Sequence, residues 1–416
     1  MDYLTYNKLI TDKQYGFVSG KSTTLQLLKI MDDWTDALDN KHQIEVIYMD
    51  IRKAFDTVPH KRLMLKINHL GINDKLLFWI KDFLDQRLQH VKIMDNISSS
   101  KQVISGIPQG TVLGPILFIM YINDLPDNIT SHLFMFADDT KIYKKSNEHY
   151  DLQDDLNQLQ KWSDDWLLRF HPAKCIQLNI SRGAHHIETS QRKLKDPDNP
   201  SLDINLKTCE DHKDLGVIFD SKLDFNIHIN KKISKASQMM GMIRRGFRNL
   251  TPQIFKPLYT SLVRSHLEYA QTVWNPHHVT EIKRLESVQR NATKQINGFK
   301  SLSYTERLKI LGLPTLRFRR LRGEMIETYK ILHKIYKEDS VPNLPRNKQE
   351  IRGHNFKLYK QRANTDIRKY SFTFRVVNNW NALPNFIAEA PTIKTFKQRL
   401  DKHWNNHPMK YDPLLN

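Results

Sequence analysis

The chain has 416 residues and a formal net charge of +19, because 64 lysines and arginines stand against 45 aspartates and glutamates. This length predicts two or three domains with a substantial core, and the charge points to a polyanionic partner, nucleic acid before an anionic membrane surface. The only cysteines, Cys175 and Cys209, exclude a disulfide framework and a cysteine-based zinc knuckle, and they suit a reducing intracellular compartment.

The first part of the chain alternates between helical and strand patterns. Its N-terminus lacks the basic and apolar regions of a signal peptide. The apolar run over 112–122 is interrupted by Gly114 and Pro115 and is too short to span a bilayer. In chain order, the predicted elements are a helix over 22–39, a strand over 44–50, helices over 60–70 and 75–84, a hairpin from 91–94 and 101–104, a helix over 112–123 and a hairpin over 133–143.

From residue 226 onward the predicted elements are helices, and the chain there is strongly basic. The polar stretch over 182–203 predicts an insertion loop or a long hairpin tip. The last segment, 340–416, is basic, and we expect it to be less regular than the rest. The other predicted elements are a helix over 152–166, strands over 176–180 and 215–219, and helices from 226 onward and over 253–270, 278–296, 304–310 and 317–338.

Three carboxylates suggest metal-assisted chemistry. Apolar, β-prone runs flank Asp138 and Asp139, which predicts a β-hairpin with carboxylates at its turn, and Asp50 ends an apolar strand. Adjacent carboxylates repel each other, so a half-buried pair needs a cation. Three acids are the set that two-metal phosphoryl transfer requires, with Mg²⁺ or Mn²⁺ bound to oxygen ligands. A solvated surface pair is the alternative, and the apolar flanks disfavour it.

Two nearby segments offer contacts to a nucleotide. Phe55 can pack under a sugar and exclude a 2′-hydroxyl, or it is an ordinary core residue. Lys53 is a candidate nucleotide contact, and a structural or ion-paired role is favoured over a catalytic one. Gly110 permits close approach to the backbone, and Gln109 can hydrogen-bond a nucleotide or template. The same turn also fits a plain Gly/Pro cap of a helix.

The helix predicted from residue 226 is amphipathic. Ile229, Ala236 and Met240 share one face. Around it cluster five candidate nucleic-acid-binding cations, Lys231, Lys232, Lys235, Arg244 and Arg245. They predict sequence-independent, salt-sensitive contact with phosphates, whereas a solvated helical bundle is the alternative. Aromatic residues over 356–404 are interpreted as a small hydrophobic core rather than a base-stacking surface.

Three ordered motifs resemble the core motifs of reverse transcriptases. They are Tyr-Met-Asp-Ile-Arg-Lys-Ala-Phe-Asp at 48–56, Gly-Ile-Pro-Gln-Gly-Thr-Val-Leu-Gly-Pro at 106–115 and Phe-Ala-Asp-Asp at 136–139. The surrounding phrases resemble non-LTR (LINE-type, jockey-like) retrotransposons, and the resemblance covers about residues 10 to 335. Those phrases are Gln-Tyr-Gly-Phe at 14–17, Gly-Lys-Ser at 20–22, Tyr-Ile-Asn-Asp-Leu-Pro at 121–126 and Leu-Gly-Val at 215–217.

The resemblance implies an α+β, right-hand polymerase that copies an RNA template into DNA from dNTPs. Its primer is nicked target DNA, so it acts in the nucleus and otherwise resides in the cytoplasm. It implies partial fingers and an antiparallel-sheet palm over 1–225, a helical thumb over 226–338 and a small basic C-terminal region over 339–416.

The resemblance also implies roles for individual residues. Asp50, Asp138 and Asp139 match the catalytic acids, and with the backbone of Ile51 they are the metal-ligand candidates. Lys174 matches a lysine that assists departure of pyrophosphate. The candidate nucleotide contacts are Lys21, Lys53, Phe55, Gln109 and Gly110, and Leu215 and Gly216 match the primer-grip hairpin.

The sequence departs from the family pattern upstream. The basic motif that serves the triphosphate has no counterpart, and Lys21 supplies part of that charge. No endonuclease domain or zinc knuckle is recognised. We therefore expect an N-terminally truncated polymerase. The alternative is a catalytically inactive relic that binds nucleic acid, and an intron maturase is a third possibility, disfavoured by the lack of an HNH-like His/Cys cluster.

Overall fold

The structure, a computed structural model, describes residues 1–182, 190–247, 249–347 and 353–415. They form two compact units, which we call the sheet unit (Met1–Thr23 with His42–Glu210) and the helical unit (Thr24–Lys41 with Asp211–Asn416). The mixture of helices and strands confirms the predicted α+β class. The boundaries predicted at 225 and 338 do not coincide with the edges of these units, and the subdomains they delimit stay a prediction.

Within the described residues, five strands form the main sheet of the sheet unit. Their spatial order is Lys207–Cys209, Ile176–Ile180, Ile44–Met49, Asp139–Lys145 and His132–Phe136. Neighbouring strands are antiparallel, except that Lys207–Cys209 runs parallel to Ile176–Ile180. The central strand, Ile44–Met49, is buried along its whole length, as its apolar run predicts.

Helices pack against this sheet through apolar side chains. Leu117 and Phe118 of one helix share a core with Ile142 of the sheet, and all three are fully buried. No helix in the described part of the chain is long and apolar enough to cross a membrane. The helices of this unit are Asp2–Tyr6, Ala54–Thr57, His60–His69, Asp74–Leu84, Leu113–Tyr121 and Leu152–Trp166, with a 3₁₀ turn at Pro172–Lys174.

Between residues 88 and 102 the chain forms two nested hairpins, which corrects the predicted pairing of 91–94 with 101–104. Leu88–Gln89 pairs with Lys101–Gln102, and Lys92–Ile93 pairs with Asn96–Ile97. The inner hairpin closes at Met94, whose φ of 52° permits a tight turn.

The polar stretch over 182–203 contributes to a further hairpin of the sheet unit. Lys193–Lys195 pairs with Asp203–Asn205, which favours the hairpin interpretation over a plain loop. Residues 183–189 of this stretch lie outside the described residues.

After residues 24–41, the helical unit resumes at Asp211 with a hairpin and continues as helices. Strands Asp211–Asp214 and Val217–Asp220 pair through a turn at Leu215 and Gly216, so the strand predicted from 215 begins at Val217. Pro257 lies in the predicted 253–270 helix and removes one N–H donor, and the structure has three shorter helices over this range instead of one. The helices are Thr23–Asp39, Asn226–Gly246, Pro252–Leu258, the π-helical Tyr259–Val263, Arg264–Glu268, Gln271–Trp274, Val279–Thr293, Tyr304–Leu311 and Leu316–Leu332, with a 3₁₀ turn at Glu338–Ser340.

From Asp366 onward the C-terminal segment forms short helices, whereas its described residues between 341 and 365 contain no helix or multi-residue strand, so the segment is less regular than the rest of the chain, as expected. Phe372, Trp380 and Phe396 are buried, which confirms the interpretation of its aromatic residues as a core. These side chains lie on short helices that bury them. The irregular spacing of the aromatic residues in the sequence did not predict these helices. The helices are Asp366–Lys369, Phe372–Asn381, Asn385–Ala388 and Ile393–His403, with a 3₁₀ turn at Pro408–Lys410.

Residues 24–41 belong to the helical unit because polar contacts tie them to the C-terminal segment. Arg368 Nη1 donates to Asp32 Oδ1 at 2.8 Å and to Thr35 Oγ1 at 2.9 Å. Asp39 accepts a hydrogen bond from the backbone N–H of Thr365 at 2.7 Å. Burial alone would raise the pKa of Asp39. The hydrogen bonds that Asp39 accepts and the charge of Arg368 outweigh this effect and lower the pKa.

Candidate active site

A β-hairpin carries the two adjacent acids. We call it the acidic hairpin: strands His132–Phe136 and Asp139–Lys145, joined through Ala137 and Asp138. Met49 of the central strand pairs with Thr140 of this hairpin. Asp50 directly follows Met49, so the antiparallel register brings Asp50 to the turn that carries Asp138.

The environment of Asp138 disfavours its negative charge. Burial raises the pKa of Asp138, and the nearby charge of Asp50 raises it further, whereas a backbone hydrogen bond lowers it. Asp138 is half-buried and Asp139 is exposed. A cation bound here would relieve the repulsion between Asp50 and Asp138.

The described residues contain no preformed group of three or more His, Cys, Asp or Glu side chains suited to a metal ion. Asp139 thus does not complete such a group with Asp50 and Asp138. Two carboxylates nevertheless fit Mg²⁺, which is commonly held by one or two carboxylates together with substrate phosphates and water.

The segment 171–175 contacts both the backbone and the side chain of Asp50. The backbone N–H of His171 donates to the carbonyl oxygen of Asp50 at 2.8 Å. The N–H of Asp50 donates to Cys175 Sγ at 3.4 Å, and burial raises the pKa of the Cys175 thiol to about 12. Lys174 Nζ lies 3.7 Å from Asp50 Oδ2. The structure therefore brings Lys174 to Asp50, and it adds Cys175, which sequence reasoning missed.

The residues after Asp50 continue the pairing and then turn into a short helix. Ile51 forms a β-bridge with Phe170, and its side chain is buried. Because that side chain is a hydrocarbon, only the backbone carbonyl oxygen of Ile51 can serve as a ligand. Lys53 is exposed, with a φ of 51°. Phe55 stacks on Phe118 with 4.2 Å between ring centroids.

Gln109 and Lys53 line an open groove of about 600 Å³ in the sheet unit. Gln109 Nε2 donates to Asp56 Oδ1 at 2.9 Å. Gly110 has a φ of 78°, and a Cβ there would meet nothing within 4 Å. The close approach within the protein occurs instead at Gly106, where a Cβ would lie 2.6 Å from the Asp56 carbonyl oxygen.

Lys21 contacts its own N-terminal segment. Its ammonium donates to the Asp12 carbonyl oxygen and lies 4.7 Å from the centroid of the Tyr15 ring. Tyr15 N donates to Met135 O at 2.8 Å, so the segment borders the acidic hairpin. Gln14, also in this segment, accepts a hydrogen bond from the backbone N–H of Ala137 in the turn. Gln14 belongs to the Gln-Tyr-Gly-Phe phrase, for which the sequence alone indicated no role.

In the helical unit, Leu215 and Gly216 form a tight hairpin turn. Both have positive φ, 44° and 84° respectively. Tyr269 Oη donates to the carbonyl oxygen of Leu215 at 2.7 Å, and a Cβ on Gly216 would lie 2.8 Å from the Tyr269 ring. Glycine is therefore required at 216 by both backbone conformation and space.

The helix Asn226–Gly246 buries Ile229, Ala236 and Met240, as predicted. Lys231, which lies 3.7 Å from Asp211, is exposed, and Lys232 is half-buried over the Tyr269 ring. The other predicted cations, Lys235, Arg244 and Arg245, are exposed.

Residues 1–217 match the family described as "Reverse transcriptase (RNA-dependent DNA polymerase)". A solved structure of telomerase from Candida albicans, in complex with a fragment of telomeric RNA, aligns with 81% of this chain and 56% of that chain, at 11% identity and a TM-score of 0.35.

Three relatives from Drosophila melanogaster show 26% identity each. They are the RNA-directed DNA polymerase from mobile element jockey, aligned with 72% of this chain and 34% of its own length, and the probable RNA-directed DNA polymerases from transposons X-element (69% and 32%) and BS (71% and 33%). The chain spans about a third of the length of these curated relatives. They confirm the resemblance to non-LTR retrotransposon polymerases, and the chain belongs to the reverse transcriptase (RNA-dependent DNA polymerase) family.

Proposed function

We propose that the chain is the RNA-directed DNA polymerase segment of a non-LTR retrotransposon, which transfers a nucleotidyl group from a dNTP to a primer 3′-hydroxyl. The observation that carries this proposal is the register of the sheet, in which Met49 pairs with Thr140 beside the turn of the acidic hairpin. Two acids distant in sequence thereby share one end of the sheet, within a chain of the reverse transcriptase family.

Asp50 and Asp138 would hold Mg²⁺ or Mn²⁺, with the backbone carbonyl of Ile51 as a further ligand and Asp139 in support. The fit rests on oxygen donors and on the raised pKa of Asp138, which a neighbouring cation would lower. When bound, such ions lower the pKa of the attacking hydroxyl and stabilise the leaving pyrophosphate.

Other residues would orient the substrates and supply charge. Lys174, 3.7 Å from Asp50, would place a cation and a proton donor near the leaving pyrophosphate. Phe55 would close the space beside the sugar, because its ring rests on Phe118. Gln109 and Lys53 would contact the nucleotide from the groove that they line. Gly110, which directly follows Gln109, and Lys21, in the N-terminal segment, would provide further contacts.

The polymerase subdomains follow from the same proposal. Residues 1–225 would supply partial fingers and the palm, 226–338 the thumb, and 339–416 a basic C-terminal region. Leu215 and Gly216 would grip the primer, while the cations of the helix Asn226–Gly246 would follow the phosphates of primer and template. On this proposal the protein would act in the nucleus, at the target site, and would otherwise reside in the cytoplasm.

The test is primer extension on poly(rA)–oligo(dT) with Mg²⁺, comparing the chain with Asp138→Asn. This change removes one negative charge but preserves side-chain size, so we expect extension by the parent and none by the variant, with primer–template affinity retained. If the parent does not extend primers but still binds template, the inactive nucleic-acid-binding alternative is favoured. If binding collapses in the variant, Asp138 has a structural role instead.

A further inference from the structure

The side-chain amide of Gln14 is buried against the turn of the acidic hairpin. Its Oε1 accepts one hydrogen bond from the backbone N–H of Ala137 at 2.9 Å and another from Gly16 N at 2.7 Å. Gln14 is only 1% exposed. One amide oxygen thus joins the N-terminal segment to the residue that immediately precedes Asp138.

The backbone around Gln14 reinforces this contact. Met135 N donates to Lys13 O at 3.0 Å, so the segment pairs with the edge strand of the sheet. At Gly16 a Cβ would lie 2.4 Å from Ala137 N, closer than real Cβ contacts allow. Glycine is therefore needed at 16 for the segment to reach the turn.

Ala137 has a backbone conformation that its surroundings must support. Its φ of 54° lies in the left-handed region, which residues with a Cβ disfavour and which glycine usually occupies in such hairpin turns. Ala137 is buried, so loss of the Gln14 oxygen would leave its N–H without an acceptor. The Gln14 oxygen therefore satisfies the buried N–H of Ala137 and, by doing so, supports the left-handed conformation of the turn.

The orientation of the amide follows from its neighbours. Both groups that face Oε1 are N–H donors, which fixes the oxygen on that side. Within the part of the chain that the structure describes, Gln14 Nε2 is buried without a hydrogen-bond partner. The Gln14 side chain is thus held by the two hydrogen bonds that its oxygen accepts from Ala137 and Gly16.

We propose that Gln14 is a positioning residue: it fixes the backbone of the acidic turn and thereby sets the direction of the Asp138 carboxylate for metal binding. It acts through Ala137 rather than on the reactants. The kinetic consequence rests on the polymerase function proposed above, whereas the effects on metal affinity and on the turn are independent of catalysis.

The test compares Gln14→Met with Gln160→Met. Methionine has similar length and volume but removes the acceptor. Gln160 is a matched control because it is also buried in the sheet unit, on the helix Leu152–Trp166, where its amide contacts Asp164. Gln14→Asn is a second variant that preserves polarity while it withdraws the oxygen from Ala137. Thermal unfolding of each variant establishes that it is folded.

For Gln14→Met we expect kcat to fall on the order of 100-fold, because small displacements of catalytic groups are costly. The KM for primer–template should stay unchanged. Mn²⁺ affinity, measured by electron paramagnetic resonance without nucleic acid, should fall about tenfold. Hydrogen exchange in the peptide that contains Ala137 should accelerate. Adding Ala137→Gly should recover part of kcat, since glycine adopts positive φ without support.

Equal Mn²⁺ affinity and equal exchange in Gln14→Met and Gln160→Met would overturn the proposal. So would a parallel loss of kcat and primer–template affinity in a folded Gln14→Met protein, because that pattern indicates general structural damage. If the parent does not extend primers, the polymerase proposal fails, while Mn²⁺ binding and hydrogen exchange still decide the role of Gln14.

Discussion

Phe55 illustrates how a single contact constrains a residue that we propose lies beside the sugar. Its ring is half-buried and stacks on Phe118 with an interplanar angle of 19°. A ring held on one face has little freedom to move away from a ligand on its other side. The same packing serves the hydrophobic core, so the sugar-gate role is tested by selectivity rather than by stability.

We predict that Phe55→Ala admits ribonucleotides. Loss of the ring opens the space that would hold a 2′-hydroxyl, and we expect discrimination between dNTP and rNTP to fall by about 10- to 100-fold. The measurement is the ratio of kcat/KM for the two substrates, which is independent of the fraction of folded enzyme. Phe55→Tyr preserves the ring and serves as the control. Unchanged selectivity in Phe55→Ala would refute the gate.

Lys66 is an unusual buried cation of the sheet unit. Its ammonium lies 3.7 Å from the centroid of the Trp166 ring and 4.8 Å from those of Tyr121 and Trp162. It also forms an ion pair with Asp124. Burial lowers the pKa of Lys66 to about 8, although Asp124 opposes the shift. The cluster gives Tyr121 and Asp124 of the 121–126 phrase a structural role.

This pKa predicts a rise in stability with pH. Between about pH 8 and 10.5 the folded protein has released a proton that the unfolded chain still holds, so the free energy of unfolding increases by up to about 3 kcal/mol across this window. Below it, the contribution of Lys66 is constant. Urea unfolding across this range should show a weaker rise in Lys66→Met than in the parent. Parallel profiles would contradict the shifted pKa.

At this scale the sequence predicted residues whose chemistry is evident from type and flanks. Asp50 and Asp138 were predicted as metal ligands because a carboxylate beside an apolar strand is unusual and indicates a function. Gln14 and Cys175 were not, because their contacts join positions 123 and 125 residues apart. An amide or a thiol carries no local signal that it will support a distant backbone.

The helix Asn226–Gly246 is the element most directly open to a charge test. One face buries apolar side chains, and lysines and arginines occupy the exposed positions. Lys231 lies near Asp211, whereas Lys235 and Arg245 are exposed to solvent without a nearby carboxylate partner at ion-pair distance in the described residues. The latter two residues are therefore the cleaner positions for substitution.

We predict that Lys235→Gln and Arg245→Gln each lower the slope of log affinity against log salt by about one, because each removes a phosphate contact. Primer–template binding at several salt concentrations measures the slope. Lys309→Gln, an exposed lysine on the helix Tyr304–Leu311, is the control and should leave the slope unchanged. Equal slopes in all the proteins would remove this helix from the nucleic-acid interface.

Element types followed from periodicity more reliably than element partners did. The helix Leu152–Trp166 and the strand Ile176–Ile180 agree with their predicted bounds. The nested pairing between 88 and 102 did not follow, because these two-residue strands are exposed and lack a buried face that would fix their register. The interruption at Tyr259–Val263 depends on the local effect of Pro257, which an apolar pattern alone does not contain.

At the scale of the molecule, residues 24–41 share the helical unit with the C-terminal segment, although most of the sheet unit lies between them in sequence. The helix Thr23–Asp39 and the C-terminal segment meet through Arg368 and Asp32, which are 336 residues apart and nearly excluded from solvent. We predicted these segments to belong to the fingers and to the C-terminal region, since no linear sequence pattern indicates a contact over that separation. The C-terminal segment is thus integral to the helical unit.

We predict that Arg368→Met destabilises this unit by about 3 to 5 kcal/mol, because it leaves the buried Asp32 carboxylate without its cation. Arg322→Met is the matched control: Arg322 pairs with the more exposed Asp401, and its loss should cost less than about 1 kcal/mol. Chemical denaturation of both variants measures the difference. Similar costs would show that the Arg368 pair adds little to the unit.

The Cys175 thiol that accepts from Asp50 has a chemical consequence of its own. Only the thiolate reacts with alkylating agents, and a buried thiol with a pKa of about 12 forms almost none at neutral pH. Alkylation of Cys175 would therefore require the backbone beneath Asp50 to open. The rate at which Cys175 is alkylated in the native protein therefore measures how often the backbone at Asp50 opens locally. This measurement needs no substrate, metal or engineered probe.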